Sequence, residues 1–118
     1  MFGTTSFANR ASAYARVETE TSVEAASPHK LILMLYDGAL LALRTAKFAM
    51  EQKDIPKKGS SISKAIDIIT NGLKVSLDLN NGGDLAARLD ALYEYMTDRL
   101  LYANLHNSVA ALDEVADL

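Results

Sequence analysis

From residue 27 to the end of the chain the apolar positions recur at helical spacing, and three segments carry two apolar stripes where a bundle helix needs one. The stretch SPHKLILMLYDGALLALRTAKF, residues 27 to 48, is the clearest case. Ser27 offers a hydroxyl cap, and Pro28 suits the first helical position, where its missing N–H costs nothing. At about 100° per residue, Leu31, Leu35, Ala39, Ala42, Leu43, Ala46 and Ala49 share one side, with Ile32 and Tyr36 at its flank. Asp37, Arg44 and Glu51 lie opposite. Yet Leu33 and Leu40 border one edge of that polar strip, and Met34, Leu41 and Phe48, spaced i, i+7, i+14, line the other. This predicts a helix from Pro28 to about Lys53, ended by DIPKKGSS, in which Pro56 and Gly59 read as breakers.

The second predicted helix starts at Ser60 or Ser61 and runs to about Leu79. Ile62, Ile66, Ile69, Leu73 and Leu77 form its core stripe, while Ile68, Val75 and Leu79, with Gly72 between them, form a second line. NNGG at 80 to 83 reads as a turn, and Asp84 is placed to cap a third helix reaching Leu105 or His106. That helix turns Leu85, Leu89, Leu92, Met96, Leu100 and Ala103 inward and leaves Ala91, Tyr95 and Tyr102 on another line. A fourth helix begins at Asn107-Ser108 and continues to Leu118.

The β-branched residues recur at helical, not alternating, spacing, which argues against strands. Short connections between long helices favour antiparallel neighbours. The expectation is an all-α, antiparallel up-and-down bundle of about four helices over 27–118. Residues 1–26, polar and with little sustained periodicity, read as a weakly ordered N-terminal arm.

A bundle gives each helix one inward face, so the surplus stripes must go elsewhere. Each large apolar side chain left in water forgoes roughly 1.5–3 kcal/mol of burial. Three fates fit the pattern: a wide core, completed by the fourth helix and the arm; a homodimer or coiled-coil seam; or a groove that receives a partner helix. Pattern alone does not choose among them.

Composition narrows the field from another side. The 118 residues are 49% hydrophobic and 23% charged, as in ordinary folded proteins, and contain no cysteine to form disulfides or thiolate metal sites. This suits a reducing cytosol. A net charge of −3 gives no footprint for nucleic acid or anionic membrane, and Lys57-Lys58 is the one adjacent basic pair. The first 26 residues carry Glu18, Glu20 and Glu24 and lack the cationic start and apolar block of a secretory signal. The oily run from Leu31 to Leu43 contains Asp37 and falls short of the roughly 20 apolar residues of a membrane span.

Catalytic chemistry finds no foothold. His29 and His106 stand outside any Glu-x-x-His or His-Glu-x-x-His spacing, and read as surface residues, the second well placed at a helix C-terminus. The acidic pairs Glu18-Glu20, Asp84-Asp90 and Glu94-Asp98 read as solvated faces, Arg99 relieving the last. Phosphate loop and nucleophile-elbow patterns are missing. The expectation is a non-enzyme with no metal or cofactor. Tyr36 and Tyr93 read as packing residues whose hydroxyls reach the rim, and Tyr14, in the arm, as a stray ring or an anchor.

Three stretches carry a specific likeness: AYARVETETSVEAASPHKLILMLYDGAL, SKAIDIITNGLKVSLDLNNGGDLAARLDALYEYMTDRLLYANLHNS and LDEV. From about Tyr14 to Leu118 the chain resembles FliS, the export chaperone for flagellin. The resemblance implies a cytoplasmic helical bundle around which the disordered C-terminal segment of flagellin wraps, partly folding into helices in outer apolar grooves. It further implies that flagellin is kept from polymerising and presented to the export gate component FlhA, and that a tyrosine matching Tyr14 covers the groove when flagellin is absent. On this reading Leu33, Met34, Leu40, Leu41, Phe48, Ile68, Val75, Leu79, Tyr95 and Tyr102 supply the flagellin surface. Two features depart from the family pattern. Asn107-Ser108 stands where Asn-Asp is usual, a conservative cap change. FliS chains usually continue into a last helical stretch, often with tryptophan, so the fourth helix is expected to be incomplete at Leu118.

Overall fold

The computed structural model describes residues 27–118; the arm over 1–26, Tyr14 included, lies outside them. Helix α1 spans Pro28–Glu51, α2 spans Ile55–Ile68 and runs on through a π-helical turn at Ile69–Lys74, α3 spans Gly83–His106, and α4 spans Val109–Asp117. There are no strands among the described residues, and the all-α bundle holds.

Helix α1 begins as its sequence dictates, with the Ser27 side chain accepting from the Lys30 N–H at 3.1 Å. Its buried face is Ala39, Ala42, Leu43, Ala46 and Ala49. Four alanines on one face let a neighbouring helix approach closely, and α2 makes the most extensive contact with it. The boundary between them differs from expectation. Helix α1 stops at Glu51, Lys53 takes φ 60°, and α2 starts at Ile55, a full turn before Ser60. The Asp54 carboxylate accepts from the Lys57 N–H at 3.2 Å, and Pro56 sits in the first turn. A proline there starts a helix rather than stopping one, because the first turn has no use for its N–H. Gly59, where an added Cβ would meet nothing, is simply carried within the helix.

The far end of α2 also departs from expectation, closing at Lys74 rather than Leu79. The wider turn buries Ile69, Gly72 and Leu73. The Ser76 hydroxyl then donates to the Gly72 carbonyl at 2.6 Å, one of the acceptors left over at the helix end. Val75 and Leu79 therefore lie in the connection and not on a helix.

In that connection Asp78, and not Asp84, is the carboxylate that organises the turn, and neither caps α3. Its carboxylate accepts from the Asn80 and Asn81 N–H groups, at 3.2 and 3.1 Å, and from the Asn81 amide at 3.1 Å. These bonds, the Asn81 side chain first, hold its carboxyl below the ordinary range. Gly82 precedes α3 and makes no side-chain cap. A Cβ on Gly82 would stand 2.5 Å from both the Asp78 carbonyl oxygen and the Ala86 Cβ, so the turn admits only glycine there. Asp84 lies within the first turn, 3.6 Å from Arg88 in an exposed pair worth little. Leu85, expected inward, is 68% exposed at this unpacked end.

Helix α3 ends on Asn107, which takes the left-handed φ of 54°. The buried Lys58 reaches from α2 to donate to the Asn104 carbonyl at 3.0 Å and to Asn107 Oδ1 at 2.6 Å. A cation at a helix C-terminus is favourable, and its two acceptors account for its burial. Ser108 then caps α4, accepting from Ala111 N–H at 3.1 Å.

Around the bundle, α1 packs on α2, α2 and its π turn on α3, α3 on α4, and α4 back on α1. Helices α1 and α3 are thus diagonal. Ile62, Ile69, Leu100 and Leu112 are the largest fully buried side chains, each worth about 2–5 kcal/mol against truncation to alanine.

Candidate functional site

The outer seam between α1 and α2 opens into a groove of about 480 Å³. Its walls are mainly apolar: Leu31, Met34, Leu35, Leu41 and Ala42 from α1, and Ile68 from α2. Gly38 makes room at the centre. A Cβ there would stand 3.4 Å from Ile68 Cδ1, so even one methyl would close on the floor. Asp37 and Lys64 add opposite charges to the lining, and Thr45 and Ser61 add hydroxyls. The Thr45 hydroxyl already donates to the Leu41 carbonyl at 2.9 Å. An apolar cleft of this size with few polar groups suits one apolar face of a peptide, held by burial rather than by specific hydrogen bonds.

The sequence-predicted surface residues divide among several places. Met34, Leu41 and Ile68 come together in the groove. Leu41 is 61% exposed, but Ile68 is 3% exposed and forms the floor, so it gives shape rather than fresh apolar area. Phe48, 62% exposed, extends the Met34–Leu41 line beyond the groove. Leu33 is exposed and Leu40 half-buried on the other edge of α1. Val75 and Leu79 are exposed in the connection before α3.

Tyr95 and Tyr102 are absent from the groove: Tyr95 meets α4, and Tyr102 stacks along α3. The Tyr95 hydroxyl donates to the Glu114 carboxylate, which also accepts from Arg99 Nε at 2.9 Å. The Arg99 guanidinium lies 4.6 Å from the Tyr102 ring centroid, and Tyr102 in turn stands 4.3 Å from the His106 ring. The Tyr95 hydrogen bond, followed by Arg99, holds the Glu114 carboxyl below its ordinary range. Arg99 thus pairs with Glu114 and not with the Glu94-Asp98 couple; Glu94 is served by Lys74 at 3.3 Å.

Sequence reasoning missed part of the groove. Spacing places Leu31 and Leu35 on the core face; Leu35 does pack against the core but also lines the cleft, while Leu31, 38% exposed, lines the cleft. Gly38 was the available signal, a glycine inside an otherwise strong helix. Leu101 and Leu105, also overlooked, are 55% and 79% exposed on α3. Among the described residues, no three His, Asp or Glu side chains converge as metal ligands, and no helix is long and apolar enough to cross a membrane.

The family described as flagellar protein FliS matches residues 10–118. The flagellar secretion chaperone FliS of Salmonella typhimurium is 53% identical over 106 residues, covering 90% of this chain and 78% of its own length. FliSB of Pseudomonas aeruginosa is 50% identical over 105 residues, covering 89% and 82%. The Bacillus subtilis chaperone is 38% identical over 96 residues, covering 81% and 70%. Secretion chaperoning is a binding role and not an enzymatic one. With its fold, its apolar cleft and these likenesses in agreement, the chain belongs to the FliS family of flagellar secretion chaperones.

Proposed function

We propose that this chaperone binds the disordered C-terminal segment of flagellin in the cytoplasm, with the α1–α2 groove as a principal seat. The groove itself carries the reading: an apolar cleft of about 480 Å³ whose lip residue Leu41 is 61% exposed, in a chain of the FliS family. A disordered client must be ordered on binding, at a cost of at least about 2–5 kcal/mol. Several apolar anchors buried at roughly 1.5–3 kcal/mol each offset it. Leu33, Leu40, Phe48, Val75 and Leu79 extend the surface that the client follows around the bundle 27–118. Held in this way, flagellin stays unpolymerised and is presented to the export gate component FlhA. The arm over 1–26 lays Tyr14 over part of the groove until the client displaces it.

Calorimetry with a peptide of the flagellin C-terminus tests the reading. Binding by the wild type and its loss in Met34→Glu plus Leu41→Glu, with helicity intact, support it. No binding by the wild type, or equal binding by the variant, overturns it. A tight dimer in sedimentation without peptide binding would instead favour a structural protein that buries its surplus against itself.

A further inference from the structure

Helix α3 carries a second unpartnered face, on the opposite side of the bundle from α1. Ala87, Ala91, Glu94, Asp98, Leu101 and Leu105 follow one another at helical spacing, and all six are exposed. The line spans five turns, about 27 Å at 1.5 Å per residue. Two alanines at its start give low relief, two carboxylates occupy its middle, and two leucines close it. Leu105, at 79%, is the most exposed large apolar residue of the described chain. None of the six lines the α1–α2 groove.

Its charge is one-sided. Glu94 meets Lys74 at the edge, 3.3 Å away, and Lys74 is itself shared with Asp90 at 2.8 Å. Asp98 has no ion-pair partner among the described residues. The basic side chains of α3 lie off this face: Arg88 by Asp84, and Arg99 by Glu114. From this geometry we infer that the outer face of α3 is a second docking surface, and that its occupant is a basic amphipathic helix. Leucines on such a helix would meet Leu101 and Leu105, and its Lys or Arg residues would meet Asp98 and Glu94.

Charge selects this occupant over the alternatives. A second copy laid antiparallel on the same face would bring Glu94 and Asp98 toward the same carboxylates, with Lys74, already shared between Asp90 and Glu94, the one cation at the edge. An anionic membrane would be repelled for the same reason. Because α1 and α3 are diagonal, the two surfaces can be filled at once.

The probe is a fluorescent peptide of two Leu-Lys-Lys-Leu-Leu-Lys-Leu repeats, with a control in which every Lys is Glu, both read by anisotropy against the full chain. Saturable binding of the Lys peptide alone is expected, weakening as salt rises. Asp98→Lys, and separately Leu101→Ser with Leu105→Ser, should each weaken it roughly tenfold. All three positions are exposed, so circular dichroism should show the fold retained. Glu51→Lys, the same charge change on α1, should leave binding within about twofold. No binding by the wild type, equal binding of the Glu peptide, or α3 variants that bind as tightly as the wild type would overturn the inference. So would a dimer in sedimentation that Leu105→Ser dissolves, which would give the face to a second copy.

Discussion

The hydroxyls of Tyr36 and Tyr93 hydrogen-bond each other across the diagonal of the bundle, joining α1 to α3, which otherwise meet little. Tyr93 is 3% exposed, and a buried phenol needs such a partner. Burial first, and the Tyr36 bond second, push the Tyr93 hydroxyl well above its ordinary 10.0.

Alkali should therefore destabilise the protein. A folded pKa raised above the unfolded one means that the unfolded chain releases its proton first, so the stabilisation is complete below pH 10 and drains away above it. Denaturant midpoints measured upward from neutral pH should be flat to about 10 and then fall. Tyr93→Phe should cost about 0.5–1.5 kcal/mol at neutral pH through the lost bond, and should flatten the alkaline fall. A fall as steep in the variant as in the wild type would mean that other groups cause it.

At low pH the weak point should be α4. Nine residues cannot hold a helix alone in water, and α4 stays through Leu112 and Val115 beneath and Glu114 at the edge. Since the Glu114 carboxyl is held below its ordinary 4.5, its contribution is present above that value and is lost as pH falls below it. Hydrogen exchange in α4 should quicken severalfold below pH 4.5, ahead of α1 and α2. Glu114→Gln should show the faster exchange already at neutral pH.

How far the sequence speaks for itself depends on what decides each element. The stripes of α1 and α3 are set by periodicity, and Ser27 and Ser108 cap where the pattern places them. The start of α2 is ambiguous in the sequence because Pro56 is both a breaker and a good first-turn residue, and only the Asp54 cap decides between them. The π turn at Ile69–Lys74 has no sequence period of its own; it shifts Val75 and Leu79 off the helix that 100° spacing assigns them. Tyr95 and Tyr102 share a line with apolar surplus, and Arg99 is their i, i+4 and i, i+3 neighbour, but Glu114 is a charge that only the folded chain brings beside them. The groove was half legible: Met34 and Leu41 stand out as surplus, whereas Leu31 reads as core and Leu35 as core alone, because a helical wheel cannot show where α2 stops covering α1.

Gly38 gives a direct test of the groove. Replacing it with alanine removes a helix penalty of about 0.8–1 kcal/mol, against a tight but tolerable 3.4 Å approach to Ile68. Gly38→Ala should therefore leave stability unchanged or raise it by up to about 1 kcal/mol, while the flagellin peptide binds several times more weakly. Gly38→Leu should fill the cleft and lower affinity by well over tenfold with the helices retained. Undiminished affinity in Gly38→Leu would move the client's seat elsewhere.

The turn before α3 should be far less forgiving. Gly82→Ala places a methyl 2.5 Å from a backbone oxygen, and that oxygen belongs to Asp78, whose carboxylate organises the rest of the turn. Forcing such an overlap costs roughly 1–3 kcal/mol, against the few tenths usual for an exposed position. Urea unfolding should show the loss, and Gly83→Ala, with open space around its Cβ but φ at +60°, should cost about 1–2 kcal/mol through the backbone alone. Equal and negligible effects at both positions would mean that the turn rearranges freely.

The arm offers the remaining test, because a client-free groove needs some cover. An open cleft flanked by Leu41 and Phe48, both more than 60% exposed, is an aggregation risk for a chain that waits for its client. Residues 1–15 contain Phe2, Phe7 and Tyr14, aromatic rings that would suit a temporary cover. Deleting them should raise the fluorescence of a hydrophobic dye severalfold in the client-free protein, and Tyr14→Ala should give part of the same rise. Adding the flagellin peptide should bring all three proteins to the same low signal, since the client then covers what the arm did. Peptide affinity should increase in the deletion, because nothing remains to be displaced. An unchanged dye signal together with unchanged affinity would show that the groove stands open in the free chaperone and that the arm has no part in covering it.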